Sequence, residues 1–399
     1  MIANAARSSL FVAWRYLRHH RLRSAILVLA LGIVLFVPAA LEILVRESSR
    51  QLTARAEATP LLLGSPGSSL DLAMSALYFA GKQPGVITMG DARAIDESDL
   101  ARAIPLHTAF SSGGFRIVGT TLDYFSLRGL EIADGRQMGM LGEAVLGAAA
   151  ARELGVGPGD SLVSSPENFV DIAGTYPLKM RIAGVLAPTG SPDDEAVFVD
   201  LRTSWVIAGL GHGHQDLALA EDASIILKSG EGGVTANANL VTYAEITPEN
   251  IGEFHFHGDD AGFPVSAAII VPRDEKSRTL LLGRYQADNE HRQLIRPDLV
   301  IGELVDAIFR IRKLLNAIVA VVALATLLSV FLVFMLSLRL RADELETLFR
   351  LGGSRGAAAA FVVAELTLVG LASLLVAAAL GVAVRLWQDQ LLALLLSGV

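Results

Sequence analysis

Eight histidines and no cysteine set the metal and nucleophile chemistry open to these 399 residues. Six of the histidines, His107, His212, His214, His255, His257 and His291, lie between the first and second apolar stretches of the chain. Four of them form two H-x-H pairs, in GHGHQD and FHFHGDD. In an extended strand, a spacing of two puts both imidazoles on one face. Phe254 and Phe256 would then take the opposite face, toward a core. Asp216, Asp259 and Asp260 stand close by in sequence. Imidazole and carboxylate are ligands that zinc accepts, about four at a time. His212, His214, His255 and His257 are therefore the candidate ligands of a divalent metal, zinc first. The competing reading is two solvated polar loops whose histidines only hydrogen-bond.

Other catalytic signatures are missing. GSPGSS at residues 64–69 carries glycines but not the Lys-Ser/Thr that a phosphate-binding loop needs, and it reads as a turn. There is no G-x-S-x-G elbow and no H-E-x-x-H pair. No catalytic residue is assigned, and the chain reads as a non-enzyme. One acid, Glu365, sits inside an apolar run. Acids are costly there and mark either function or pairing, and a nearby arginine makes pairing the favoured role.

These residues must be held by a membrane protein with a large polar insert. The chain is 52% hydrophobic with a formal net charge of −8. That is too apolar for an ordinary soluble domain and too charged for a plain bundle of spans. The acidic balance and the lack of a long basic stripe exclude a nucleic-acid partner. Residues 25–44 are apolar enough to span the roughly 30 Å hydrocarbon core. Arg7, Arg15, Arg18, Arg21 and Arg23 precede them with no acid among them, which puts the N-terminus in the cytoplasm. The apolar run exceeds the usual h-region of about 7–15 residues, favouring an uncleaved anchor over a signal peptide. Two further spans follow, at residues 314–338 and 357–384; the second is rich in the small residues that let helices pack closely.

The expected plan is a leader at 1–23, a span at 24–45, an extracytoplasmic domain at 46–305, a stalk and span at 306–338, a cytoplasmic connector at 339–356, a span at 357–385 and a tail at 386–399 lying at the outer interface. The fold class is thus three α-helical transmembrane spans with a large α+β domain between the first and second. Short runs such as FRIVGT, EAVLG, LKMRIAGVLAP, EAVFVDL, ASIILK and SAAIIVP, bounded by Gly, Pro, Asp and Asn, read as strands. Residues 143–154 and 202–210 read as helical, and the segments next to the first two spans read as helical stalks. Without cysteine, the domain is held by its own core.

The connector is charged, with Leu345, Leu348 and Leu351 at three-residue spacing and Arg341, Glu344, Glu346 and Arg350 turned elsewhere. Gly352 and Gly353 supply a helix stop. A short amphipathic helix at the inner surface is suited to docking a soluble partner.

RADELETLFRLGGSRGAAAAFVVAELTLVGLASLLVAAALG resembles the signature of FtsX-like/MacB-type ABC transporter permeases, with Arg341, Glu344, Leu348, Gly352, Ser354, Arg355 and Glu365 on the pattern. AWRYLRHHRLRSAILVLALGI resembles the family's leader and first span. IVGTTLDYFSLRGLEIADGRQM, EAVLGAAAARELGVGPGDSL and MRIAGVLAPTGSPDDEAVFVDLRTSW resemble the MacB-type periplasmic core domain. The resemblance implies a permease homodimer in the bacterial cytoplasmic membrane, over two copies of a separate ABC ATPase that binds ATP and Mg. Arg341, Glu344, Leu345, Leu348, Gly352 and Arg355 would form the coupling element. ATP-driven closure would pass through the stalks to the periplasmic domain, to extract or export a lipid, lipoprotein, peptide or drug, or to act on a periplasmic partner protein. Family members usually have four spans, and a complete fourth is missing here; nor is an ATPase fused.

Overall fold

The computed structural model of the chain describes residues 2–82, 85–165, 177–213, 226–230, 233–236, 244–287, 292–340 and 355–387. They fall into two units, Gln51–Glu303 on one hand and Met1–Arg50 with Leu304–Val399 on the other.

In chain order the helices are α1 (Ile2–His19), α2 (Arg21–Glu57), α3 (Ser69–Leu77), α4 (Met89–Glu97), α5 (Leu122–Arg128), α6 (Ala148–Leu154), α7 (Leu201–Ile207), α8 (Glu275–Ala287), α9 (Pro297–Leu340) and α10 (Arg355–Leu386). The strands are β1 (Leu61–Gly64), β2 (Ile87–Thr88), β3 (Ala101–Ser112), β4 (Phe115–Thr120), β5 (Ile132–Gly135), β6 (Glu143–Leu146), β7 (Ser161–Val163), β8 (Lys179–Leu186), β9 (Ala196–Asp200), β10 (Gly211–Gly213), β11 (Ile226–Gly230), β12 (Gly233–Ala236), β13 (Phe254–Phe256), β14 (Pro264–Val265), β15 (Ala267–Pro272) and β16 (Gln293–Ile295).

The unit Gln51–Glu303 is built on a ten-stranded mixed sheet in the order β16-β1-β15-β3-β4-β9-β6-β8-β5, with β7 also on β8. Most neighbours are antiparallel, but β4–β9 and β6–β8 are parallel. The runs FRIVGT, EAVLG, LKMRIAGVLAP, EAVFVDL and SAAIIVP form strands, because their apolar residues are buried: β6 and β9 are buried along almost their whole length. Of ASIILK, residues 226–228 fall in β11 and residues 223–225 lie outside the described residues. Residues 143–154 are the exception to the helical reading. Glu143–Leu146 is β6, and the helix starts only at Ala148. Gly147 makes that turn, because its N–H donates to the Ala196 carbonyl (2.9 Å) and a Cβ there would lie 2.2 Å from the Asp193 carbonyl oxygen. The 64–69 stretch is a turn as expected: β1 ends at Gly64, and the Ser68 hydroxyl caps α3 by accepting from the Asp71 amide.

Two apolar clusters fill the unit. One gathers Leu61, Leu63, Ile95, Trp205, Phe263, Val265 and Ile270. The other gathers Ile117, Leu146, Met180, Ile182, Val197 and Ile207. Helix α7 feeds both, with Leu201 and Trp205 in the first and Val206 and Ile207 in the second. Asp200 caps that helix, its carboxylate accepting from the Arg202 amide. Trp205 donates from Nε1 to the Pro264 carbonyl (2.8 Å) and stands edge-on to Phe263. The short helix is thereby a fixed platform for the chain that leaves it at Leu210.

Helices α2, α9 and α10 each hold a stretch long and apolar enough to cross a membrane, at Arg21–Ile43, Pro297–Leu332 and Ala359–Leu386. Val321, Leu324, Leu328, Phe331 and Leu332 of α9 are exposed, a row of large apolar side chains of the kind that meets lipid or another protein. In the unit of the two chain ends, Glu42 on α2 pairs with Arg312 on α9 (2.9 Å). Gly32 lets α2 approach α10, since a Cβ there would stand 3.1 Å from a Val376 methyl. Tyr16 on α1 meets Phe361 on α10 edge-on.

Candidate functional site

Strands β10 and β13 form a two-stranded antiparallel ribbon beside α7. The register places Gly211 opposite Phe256, His212 opposite His255 and Gly213 opposite Phe254. The alternation decides what each face does. Phe254 and Phe256 turn inward against the apolar clusters, and their rings lie over the bare backbone of the opposing glycines. A Cβ on Gly211 or Gly213 would come within 2.7 or 2.6 Å of those rings. Arg202 lies over the Phe256 ring, its guanidinium carbon 4.7 Å from the ring centre. The histidines take the other face. His255 and His257 are exposed and His212 is half-buried. The His257 amide donates to the Leu210 carbonyl (3.2 Å), extending the pairing one step beyond the ribbon.

The three imidazoles form a nearly equilateral triangle. Ring centres are 4.9 Å apart for His212–His255, 4.8 Å for His212–His257 and 4.9 Å for His255–His257. One nitrogen from each falls within 4.8 Å of the others. His257 Nε2 and His212 Nε2 are 3.5 Å apart. His255 Nδ1 lies 3.1 Å from the Glu253 carbonyl oxygen. A carbonyl only accepts, so Nδ1 carries the proton and neutral His255 keeps the lone pair on Nε2.

Of the four histidines expected as ligands, the structure brings together His212, His255 and His257; His214 lies outside the described residues, as does Asp216. The neighbouring acids do other work. Asp259 accepts from the Ala261 amide (3.0 Å), and Asp260 binds Arg93 through both oxygens (2.6 and 2.7 Å). Of the connector, Arg341, Glu344, Leu345, Leu348 and Gly352 lie outside the described residues, and Arg355 is the first residue of α10. Glu365 is 5% exposed in α10, on the face that also buries Ala364, Val369 and Ser373.

A second constellation has no sequence signature. Arg55, near the end of α2, reaches Asp193 through Nη1 (2.6 Å) and Nη2 (2.9 Å). Tyr124 accepts from Arg55 Nη2 (2.8 Å) and donates to Asp193 (2.6 Å). Arg55 Nε also donates to the Leu77 carbonyl. All three side chains are buried. Burial pushes the Asp193 carboxyl up, but the Arg55 guanidinium and the Tyr124 hydroxyl outweigh it and hold the carboxyl below its usual range. Burial raises the Tyr124 phenol, which stays a neutral donor. Residue Asp193 is separated from Arg55 by 138 positions, and no spacing rule links them.

His107 belongs to neither group. Its ring is buried, with Nδ1 2.9 Å from Ser204 Oγ. Ser204 donates its only hydroxyl proton to the Leu201 carbonyl (2.6 Å), so His107 Nδ1 is the donor to Ser204. Burial pushes the imidazole down to about 4. The neutral ring is the form the fold accepts, so this stability is complete above the unfolded value of about 6.5 and is lost as pH falls from there toward 4. The loss amounts to about 3 kcal/mol. Denaturation of the solubilised chain across that range is expected to show it, and His107→Gln is expected to flatten the dependence. An equally steep dependence in the variant would assign it elsewhere.

The family described as the MacB-like periplasmic core domain matches residues 24–239, more than half of the chain. The chain belongs to that family. Three solved structures are similar to the chain at low identity. The periplasmic region of MacB from Actinobacillus actinomycetemcomitans is 10% identical, with 65% of this chain and 97% of that one covered, at a TM-score of 0.35. The extracellular domain of the noncanonic ABC-type transporter YknZ from Gram-positive bacteria is 11% identical, with 59% and 98% covered, at 0.32. A domain of a putative permease protein from Porphyromonas gingivalis is 14% identical, with 60% and 88% covered, at 0.27. No curated protein matches the chain. With three apolar helices among its described residues, this member of the MacB-like family is a membrane protein of the ABC permease type with an extracytoplasmic core domain. A family of this kind implies an ABC ATPase as partner.

Proposed function

We propose that the chain is the non-catalytic membrane subunit of an ABC system that turns ATP hydrolysis by a separate cytoplasmic ATPase into movement of the extracytoplasmic domain. Two copies of the chain form the permease, in the bacterial cytoplasmic membrane. The connector, with Arg341, Glu344, Leu345, Leu348, Gly352 and Arg355, seats on the ATPase, and the moved substance is a lipid, lipoprotein, peptide or drug handled on the outer side. The observation that carries this reading is the family match over residues 24–239. One feature of α2 supports the mechanical part: a single helix carries both the apolar stretch and Arg55, whose guanidinium clamps Asp193. A displacement along α2 would reach, through that buried pair, the short turn Pro192–Glu195 that leads directly into β9.

The N-terminus and connector are then inside, and residues 46–305 and the C-terminus outside, following the arginines of the leader and connector. The test is co-expression with a candidate ABC ATPase from the same organism, followed by purification through the permease and by reporter fusions after His20 and Val399. Stoichiometric ATPase with permease-dependent turnover is expected, as is a cytoplasmic signal from the first fusion and an outside signal from the second. No co-purifying ATPase would overturn the coupling, and an inside signal after Val399 would overturn the topology.

A further inference from the structure

We infer that His212, His255 and His257 form an exchangeable binding site for Zn2+ or a neighbouring d-block divalent ion. The site does not depend on the transport reading. Three observations carry it. The first is convergence: the ribbon register puts His212 directly across from His255, and the period of two returns His257 to the same face. The Phe254 and Phe256 rings, locked inward over the glycines, fix that face outward.

The second is spacing. Zinc–nitrogen bonds of about 2.0–2.1 Å in tetrahedral geometry hold ligand nitrogens roughly 3.3–3.4 Å apart. His212 Nε2 and His257 Nε2 are already 3.5 Å apart, and all three ligand atoms lie within 4.8 Å. Side-chain rotations of exposed rings close the remainder without moving the backbone. The third is the tautomer. A metal-bound histidine commonly donates its other ring N–H to a carbonyl or carboxylate, which orients the ring and frees the ligating nitrogen. His255 does so through Nδ1 to the Glu253 carbonyl (3.1 Å).

The donor set selects the ion. Three neutral imidazoles suit zinc, copper or nickel and not magnesium or calcium, which take oxygen ligands. Asp260 is already bound to Arg93, and Asp259 Oδ1 accepts from the Ala261 amide, so the two carboxylates of that turn have partners of their own. Three protein ligands among the described residues, on an exposed face, leave a fourth position for water or an incoming ligand, the arrangement of exchanging rather than closed structural zinc. Bound metal would also tie the strand after α7 to the strand before Gly258, adding stability to the folded state by mass action.

The experiment is a zinc titration of the untagged, chelator-stripped full chain in detergent, in competition with a chromophoric chelator. Expected are one ion per chain removed by the triple variant His212→Gln, His255→Gln, His257→Gln, and a loss of affinity of at least about 10-fold in His255→Gln alone. Cobalt(II) is expected to give the intense visible absorption of four-coordinate nitrogen ligation in the native chain and not in the triple variant. Zinc, but not magnesium, is expected to raise the unfolding temperature of the native chain only. The variant's unfolding temperature without metal is expected to match the native one, which separates lost binding from lost folding. Zinc bound as tightly by the triple variant as by the native chain, or displaced equally by calcium, would overturn the site.

Discussion

Replacing Arg55 with methionine is expected to destabilise the extracytoplasmic unit by about 3–5 kcal/mol, the range for removing one partner of a buried ion pair. The reason is what is left behind. Asp193 is 1% exposed, and its carboxylate would keep only the Tyr124 and Ser191 hydroxyls as side-chain donors. The Leu77 carbonyl would lose its guanidinium donor as well. A buried anion without its counter-ion either stays charged at high cost or takes up a proton. Asp193→Asn in the native background removes the charge but keeps the size, leaving the guanidinium buried against a neutral amide. The two substitutions together should cost less than the sum of each, because the double variant buries no unpaired charge. At about 2–4 °C per kcal/mol for a unit of this size, Arg55→Met is expected to lower the unfolding temperature by roughly 6–20 °C, read by scanning calorimetry of the solubilised chain. A shift within about 1 °C would mean that the network does not hold the helix end to the turn before β9, and the mechanical role given to it would fall with it.

That network shows where the sequence runs out. The apolar spans, the strands β4, β6, β8, β9 and β15, and the turn at 64–69 follow from composition and period, because each is set by residues within a few positions of one another. The inward Phe and outward His of FHFH follow from the same period of two. What no local rule supplies is partnership. Nothing in GHGH says that it pairs with FHFH some forty residues on, and nothing in TARAE says that its arginine meets the first aspartate of SPDDE. Strand β3 was hidden for a different reason. Pro105 inside ARAIPLHTAF argues against a central strand, since it cannot donate to a ladder. The strand is central nonetheless, between β15 and β4. Its Pro105 carbonyl faces the β4 side and accepts from Thr120 Oγ1 (2.9 Å), at the last residue of β4, so the missing N–H falls where that ladder has ended. The glycines opposite FHFH carried a usable signal: G-x-G beside aromatic residues on a partner strand is a pairing that bare backbone makes favourable.

Leu348→Asp is expected to abolish coupling to the ATPase while leaving the extracytoplasmic unit folded. The expectation rests on the sequence pattern, since Leu348 lies outside the described residues. Leu345, Leu348 and Leu351 recur at the spacing that puts them on one side of a helix, with Arg341 and Glu344 beside them and Glu346 and Arg350 on the opposite side. In a docked connector the leucines fill a groove on the partner and the charges at its rim set orientation and encounter rate. A carboxylate at the centre of that groove has no counter-ion from the leucines beside it, and leaving it desolvated costs on the order of several kcal/mol. Even about 3 kcal/mol lowers affinity more than 100-fold. The ATPase should therefore be absent from the purified complex, and permease-dependent turnover should fall to the basal rate at matched expression. Glu346→Ala, on the charged side, should change affinity by less than about 1 kcal/mol, as rim charges do. The zinc titration and the calorimetric transition of the Leu348→Asp chain should match the native ones, which separates uncoupling from misfolding. A Leu348→Asp permease that retains both the bound ATPase and its stimulated turnover would reduce the connector to a turn between two spans, and the force would have to enter by another element.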